Sequence, residues 1–353
     1  MFRDDLTPED LQRAKDRMQW LLLAKFRVSG GVLNREAQSA FERLEAQYPA
    51  WHLAEDERDE FSIWTSDGEE DRIVRQAPHS PAELEAWLEK YPTTDDFRES
   101  DDWQEICAKK FRLAAVALIR LARKGVWPVG RWRQALQVWS NNEFAARSWK
   151  WFGRIVYDIP DLELKEIAHP IAWWLKAISK TVSGESEHFF GLVGKILDAY
   201  RNDAVEIDAE IISHAINHPV GLAIEAVINW WFAQGLEDDQ GLHPEVKPIF
   251  DDICREDAPG LRYGPIILAG SLITLYRVDS EWTKENLLPY FDWVQAPDIA
   301  PGMWMSFLHS PRLYWPLLDE LKDAFFAVPL HFEELGDVYR MNRPGFTGED
   351  LVQ

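Results

Sequence analysis

The chain has 353 residues, of which 46% are hydrophobic and 28% charged, a composition typical of globular proteins with a sizeable core. Its formal charge of −22 opposes binding to the phosphate backbone of nucleic acids and to anionic membrane surfaces. The charge is uneven, because residues 1–140 hold 21 Lys and Arg against 26 Asp and Glu, net −5, whereas the remainder holds 17 against 34, net −17.

The predicted elements begin with an N-terminal helical segment, residues 1–51. A cap at Thr7 followed by Pro8 predicts a helix that runs to about Val28. Residues 52–79 carry two acidic runs around a small apolar island, which predicts an acidic loop or hinge. The N-terminus has no apolar signal region and no apolar stretch is long enough to span a bilayer, so the expected location is the cytoplasm.

A run of helices is predicted over residues 80–341. Ser80 and Glu83 form a capping box that starts a helix over 84–91, and a long helix is predicted over 103–124, ended by Gly125. Further amphipathic patterns predict helices near 129–140, 142–157, 161–168, 170–182, 186–200, 205–217, 219–233, 244–256, 261–277, 280–290, 298–309, 312–327 and 329–340.

These patterns predict an all-α fold. No apolar/polar alternation of useful length indicates a strand. The dipeptide His-Pro occurs three times at expected helix starts (169–170, 218–219 and 243–244), and two of those helices carry a Trp pair. We therefore predict an irregular, solenoid-like array of stacked antiparallel helix pairs, with a loose tail at residues 342–353.

The sharpest metal candidate is the set Glu210, His214 and His218, whose spacing places three ligands on one helix face. Pro219 opposes this reading, because a residue that precedes proline disfavours helical geometry, and capping or packing is the competing role. The sequence contains no phosphate-binding loop, dinucleotide fingerprint or nucleophile elbow. We therefore predict no catalytic residue, no metal and no cofactor in this chain.

Two smaller features have a structural interpretation. Cys107 and Cys254 lie in apolar helical patterns, which predicts buried free thiols rather than a disulfide. Gly191 and Gly194 lie within a predicted helix, where small residues permit close helix packing.

A basic band is the strongest electrostatic feature. No acidic residue occurs between Ile106 and Asn142, and Trp127, Trp132 and Trp139 are interleaved with cations. The candidate interaction surface consists of Lys109, Lys110, Arg112, Arg120, Arg123, Lys124, Trp127, Arg131, Trp132 and Arg133.

Basic residues from 147 to 154 extend the band, and Trp64 is a further candidate contact. Three interpretations stay open: a nucleic-acid surface, docking on an acidic face of a partner or of this chain, and a solvated surface. The net charge favours docking.

A family resemblance is carried by residues 214–308. They contain HAINHPVGLAIEA (214–226), WW (230–231), LYRVDSEWT (275–283), LPYFDW (288–293) and WMSFL (304–308). These sequences resemble the C-terminal helical region, a domain of unknown function, of bacterial anti-phage proteins with an N-terminal sirtuin-like domain that destroys NAD. The resemblance covers about residues 100–340.

The resemblance implies a sensor or scaffold role. This sequence lacks the phosphate loop and catalytic Asn/His pair of a sirtuin-like domain, so no catalytic residue carries over. The implied partners are a phage protein, a sirtuin-like or other effector subunit, or further copies of the chain. The alternatives are a nucleic-acid-binding helical protein that uses residues 106–154 and an enzyme whose site is built from distant helices.

Overall fold

The structure is a computed structural model. It describes residues 8–28, 30–53, 73–92, 99–182, 186–208, 210–255, 257–309, 312 and 314–331. The chain divides into two units, Met1–Ile73 and Val74–Gln353. The boundary falls within the predicted acidic loop, most of which, like the predicted tail and Trp64, lies outside the described residues. The hinge role of that loop stays a prediction.

The described part of the chain is helical almost throughout, which confirms the all-α prediction. The helices are α1 (Pro8–Val28), α2 (Arg35–Gln47), α3 (Pro81–Lys90), α4 (Trp103–Lys109), α5 (Phe111–Arg123), α6 (Val129–Trp139), α7 (Asn142–Tyr157), α8 (Asp161–Ile178), α9 (Ser186–Tyr200), α10 (Ile211–Asn217), α11 (Pro219–Phe232), α12 (Lys247–Ile253), α13 (Tyr263–Ala269), α14 (Leu272–Val278), α15 (Ser280–Asn286), α16 (Ala300–Leu308) and α17 (Trp315–Ala327).

One small sheet departs from the prediction. Strands β1 (Ile73–Arg75) and β2 (Glu99–Asp101) pair with each other. Each has three residues, which is too short for the apolar/polar alternation that identifies a half-buried strand in a sequence.

Helix ends follow the predicted cap chemistry. The Ser80 hydroxyl oxygen accepts a hydrogen bond from the Glu83 backbone N–H at 3.4 Å, and the same hydroxyl donates to the Glu83 carboxylate at 2.6 Å. At the end of α5, Gly125 adopts a left-handed φ of +74°. Its backbone N–H donates to Ala122 O and that of Val126 donates to Leu121 O, so the last carbonyls of the helix have partners.

Two predicted helices are broken in the structure, and the predicted helix 205–217 begins only at Ile211. The predicted helix 103–124 is broken at Lys110, whose φ of −126° and ψ of 48° separate α4 from α5. The predicted helix 261–277 is broken at Gly270 and Ser271, between α13 and α14. The predicted division between the helices 161–168 and 170–182 is present as a kink inside α8, where Ile167 has a non-helical φ of −117° and ψ of 18°. Each of the two breaks concerns one or two residues whose backbone angles the apolar period does not determine.

Hydrogen bonds that join elements of the core account for part of the high tryptophan content. Trp103, Trp139, Trp174 and Trp304 donate their indole N–H groups to a backbone carbonyl or a side chain of a neighbouring element. The buried indole N–H groups of Trp132, Trp230 and Trp231 have no hydrogen-bond partner among the described residues. Trp103 of α4 donates to Arg131 O of α6, and Trp139 of α6 donates back to Cys107 O of α4, both at 3.1 Å. Each of these indoles therefore buries a large apolar surface while its one polar group stays satisfied.

Helices in the second unit contact mainly helices that are near in chain order. Helix α8 packs on α6, α7, α9 and α11, and α13 packs on α10, α11 and α16. This progression is what stacked helix pairs produce. The solenoid-like arrangement itself stays a prediction.

The close approach of the first turn of α11 to the end of α10 requires glycine. A Cβ on Gly221 would lie 1.8 Å from Ala215 O, which is an impossible contact with the backbone. Close packing also explains Gly191, where a Cβ would lie 2.5 Å from the Tyr157 ring. A Cβ on Gly194 would meet nothing within 4 Å, so the packing prediction is correct for Gly191 and wrong for Gly194.

Within the described residues, no single helix combines the length and apolar character of a membrane-spanning segment. Helices α10 and α11 meet both criteria only when they are taken together, and they are bent by 68° relative to each other. Nearly every residue of α11 is buried inside the protein.

Candidate interaction surface

The predicted basic band runs from the end of α4, through α5, to α6. Most of its cations are exposed, as the prediction requires: Lys109, Lys110, Arg112, Arg120, Arg123, Lys124 and Arg133. Helix α5 supplies three of them, because its apolar face is buried against α3, α4 and α7 and its basic residues occupy the opposite face. The helix pattern therefore segregates charge to the outside.

Arg131 was wrongly assigned to this surface, because its side chain is fully buried. Its Nε donates to Tyr91 O at 2.7 Å, its Nη1 donates to the Asp101 carboxylate at 2.7 Å, and its guanidinium lies 4.6 Å from the centre of the Trp87 ring. Arg131 therefore joins α6 to β2 and to the end of α3, and it is a core residue.

The tryptophans of the band do not form a stacking surface. Trp132 is fully buried, in edge-on contact with Phe152, so its assignment to the surface is also wrong. Trp139 is fully buried too. Trp127 is half-buried and packs against Trp132, with 5.2 Å between ring centres. Trp132 and Trp139 occur in the band because α6 packs their indoles into the core, and not because they contact a ligand.

Several exposed cations already have a carboxylate partner in the chain. Lys124 and Arg120 both reach Glu85 of α3, which is buried and whose hydrogen bond to Lys124 raises the pKa of that ammonium group. Lys109 pairs with Glu105 at 2.7 Å within α4. Lys124 and Arg120 thus pair with an acid of their own chain, but this acid belongs to α3 and not to the half with net charge −17, so the docking interpretation stays a prediction.

Glu85 was not among the predicted residues. The available signal was its position, since it follows Leu84 and precedes Leu88, both buried, on the inward face of α3. An acid on an apolar stripe needs a cationic partner, because an unpaired buried carboxylate is costly.

Four cations of the band keep a free charge. Among the residues that the structure describes, no carboxylate lies within 4.0 Å of Lys110, Arg112, Arg123 or Arg133. Arg112 and Arg123 are eleven residues apart on α5, which places them on the same helix face about 17 Å apart. Protonated ammonium and guanidinium groups cannot act as bases, so what this surface can do is bind anions.

A depression of about 480 Å³ lies where α4 gives way to α5. Four permanent cations and one imidazole line it, together with apolar side chains; the lining consists of His79, Ala108, Lys109, Lys110, Phe111, Arg112, Leu113 and Arg147. No carboxylate is among these residues. The sequence does not predict that His79 and Arg147 of α7 lie beside the start of α5, because these residues meet only in the folded chain.

The metal candidate of the sequence is not assembled as its spacing suggests. His218 leaves the helical path with ψ of 145°, as Pro219 predicts, and its Nδ1 accepts the Val220 N–H at 3.2 Å as the cap of α11. His214 instead faces Asp208 at 3.4 Å and Glu206 at 3.9 Å. Among the described residues, Glu206, Asp208 and His214 have ligand atoms close enough together to hold one cation. The two acids are exposed and His214 is partly exposed.

The environment of His218 holds its imidazole in the neutral form. The ring packs against Tyr200 and Tyr263, at 4.8 and 4.9 Å between ring centres. Burial lowers the pKa of His218 to about 4, a shift that Asp203 opposes and His169 assists. A capping role is thus served by a neutral imidazole nitrogen, which accepts a hydrogen bond from the backbone.

Both thiols are free, as predicted, but the prediction of burial is correct for Cys107 only, because Cys254 is partly buried. Cys107 is fully buried, and burial raises its pKa well above the usual value. Burial likewise raises the pKa of Cys254 to about 12. Because the thiolate is the nucleophilic form, neither thiol is activated for covalent chemistry.

Comparison with known protein families, with curated proteins and with solved structures finds no match to this chain.

Proposed function

We propose that this chain is a non-catalytic protein-interaction module, a sensor or scaffold, of a bacterial anti-phage defence system. The observation that carries the proposal is the exposed basic band on a protein of net charge −22. Lys110, Arg112, Arg123 and Arg133 keep their charges free of the described carboxylates, and they are fixed on helices with a well-packed core. Such a surface favours an acidic protein face as partner.

The resemblance of residues 214–308 supplies the biological setting of the proposal. In that setting the partner is a phage protein or a sirtuin-like, NAD-consuming effector domain located elsewhere. The unactivated thiols and the capping role of His218 are consistent with a division in which recognition belongs to this chain and chemistry to its partner.

Nucleic acid is the second candidate, because free guanidinium groups bind phosphate as readily as carboxylate. Two observations weigh against it. The overall charge opposes a long polyanion, and the buried Trp132 and Trp139 are not available to stack on bases, which removes the aromatic half of a single-strand binding surface. An enzyme built around His214 is a third possibility, and only the two acids Glu206 and Asp208 support it.

Affinity capture from phage-infected bacteria tests the proposal. The bait is the full chain, and the matched variant carries Arg123→Glu and Arg133→Glu, two exposed positions outside the core. We expect wild type to recover an identified phage protein or a sirtuin-like subunit, and the variant to lose it. Recovery of neither partner by wild type, or equal recovery by both baits, would contradict the proposal, as would NAD turnover by the purified chain.

A further inference from the structure

The depression between α4 and α5 is distinct from the rest of the basic band in the kind of surface it offers. Arg123 and Arg133 belong to the open faces of α5 and α6, whereas Lys109, Lys110, Arg112 and Arg147 surround one hollow of about 480 Å³. That volume is similar to the volumes of small-molecule pockets, roughly 300–1,000 Å³, although this depression is shallow and open to solvent.

Charge in the hollow is concentrated and poorly compensated. Lys109 shares its charge with Glu105, which is not part of the lining. Within the described ranges, Lys110, Arg112 and Arg147 have no carboxylate within 4.0 Å. Three cations without a carboxylate within 4.0 Å among the described residues, together with Lys109, therefore line a depression the size of a small ligand.

The fold builds this arrangement from two elements distant in sequence. The break at Lys110 turns the chain, so that consecutive basic residues spread around the start of α5 instead of following one helix face. Helix α7 contributes Arg147, whose guanidinium lies 4.2 Å from the centre of the buried Phe111 ring. This cation–π contact fixes Arg147 at the wall of the hollow.

The side chains, rather than helix dipoles, supply the attraction for an anion. Helix α4 ends where α5 begins, so the partial negative end of one offsets the partial positive end of the other. No side chain caps the first turn of α5 and no acid lies in it. Nothing in that turn therefore competes with a bound anion.

We infer that the hollow binds a small ligand that carries an oligophosphate group, that is, inorganic oligophosphate or a nucleoside triphosphate. A single carboxylate has too little charge for three free cations, whereas a triphosphate carries about three to four negative charges near neutral pH. Guanidinium groups also match phosphate oxygens in geometry. A long nucleic acid is disfavoured, because the net charge of −22 repels its extended backbone and a triphosphate exposes far less charge to that field.

Isothermal titration calorimetry with sodium tripolyphosphate and with ATP tests this inference on the full chain. We expect saturable one-to-one binding that weakens as salt is raised. Arg112→Ala and Arg147→Ala should each weaken it about tenfold or more, since each removes one charge-assisted contact. Equal affinities for the two ligands would show that the phosphate chain alone is recognised, and tighter binding of ATP would add a contact from the nucleoside; both results support the site.

Arg123→Ala is the matched control, because it removes the same charge from the same face of α5 outside the hollow. Its affinity should stay at the wild-type value. Loss of affinity in Arg123→Ala equal to that in Arg112→Ala would overturn the inference, since binding would then follow the overall charge of the band. Failure of wild type to bind tripolyphosphate, or binding of single-stranded DNA alone, would overturn it as well.

Arg147 packs on a core ring, so Arg147→Ala is checked by circular dichroism and thermal melting. Should it fail to fold, the double variant with Lys110→Gln and Arg112→Gln replaces it, because both positions are exposed. Partner capture with the Arg123 and Arg133 variant is independent of this measurement, so the failure of one proposal leaves the other standing.

Discussion

Replacing Arg131 by Met is expected to destabilise the second unit strongly. The guanidinium and the Asp101 carboxylate form an ion pair at 2.7 Å, with 0% and 4% of their side chains exposed. Removing one partner leaves a buried charge uncompensated, which costs about 3–5 kcal/mol. The substitution also removes the hydrogen bond to Tyr91 O and the stacking on Trp87.

Arg133 provides a control of the same residue type, two positions along the same helix. It is exposed, and its one described hydrogen bond, to Glu166 O at 3.4 Å, is long. Arg133→Met should therefore change stability by less than about 0.5 kcal/mol. At about 2 °C per kcal/mol, a figure for large domains, Arg131→Met should lower the melting temperature by roughly 6–10 °C relative to Arg133→Met.

Tryptophan fluorescence and far-ultraviolet circular dichroism during heating provide the assay. A second substitution, Asp101→Asn, tests the cause: it removes the uncompensated charge and keeps an oxygen that can accept the Trp103 backbone N–H. Added to Arg131→Met, it should restore part of the lost stability. Melting temperatures of Arg131→Met and Arg133→Met within about 1 °C of each other would refute the reasoning.

Three further predictions concern buried groups. The folded-state pKa of His218 lies below its unfolded value of about 6.5, so the unfolded state binds the proton more tightly and stability should be lost as pH falls from about 6.5 to 4. Solvent screening of the partly exposed ring reduces this loss, which should be about 1–2 kcal/mol, and smaller in His218→Asn, which can still cap, as urea unfolding at each pH will show. Gly221→Ala should destabilise by at least about 1–3 kcal/mol whereas Gly194→Ala should stabilise by up to about 1 kcal/mol, measured as shifts in melting temperature. Cys107 should react with a thiol reagent at pH 8 far more slowly in the native protein than in guanidinium, and more slowly than the partly buried Cys254; fast native labelling of Cys107 would contradict its burial.

Local rules predicted those features that depend on a few neighbouring residues. The Ser80 cap, the Gly125 stop and the start of α11 at Pro219 each follow from the backbone chemistry of adjacent residues, and each is present in the structure. The break at Lys110 was not predictable in this way. Lysine is a good helix former and the apolar period continues across it, so the break is set by how α4 and α5 pack on different neighbours.

The surface was predicted only in part, for a related reason. Spacing and charge indicate which residues are cations, but not whether a carboxylate meets them. Arg131 and Arg133 are two positions apart on one helix, and only the helical rotation of about 200° between them, together with the position of Asp101, makes one a core residue and the other a surface residue. The depression combines α4, α5, α7 and His79, which no window along the sequence contains.

The ion pairs within the chain limit which cations of the basic band can bind an external anion. One part of it, at Arg131, holds the core together, and another, at Arg120 and Lys124, holds α5 to Glu85 of α3. Cations that already satisfy an internal carboxylate contribute little net field outside the protein, because the pair is nearly neutral at a distance. The attraction for any external anion must therefore arise from the remaining free cations, which are concentrated at the start of α5 and along its outer face. A partner that recognises this surface has to match that local pattern and tolerate the acidic protein around it, which favours a compact anion or a small acidic face over an extended polyanion.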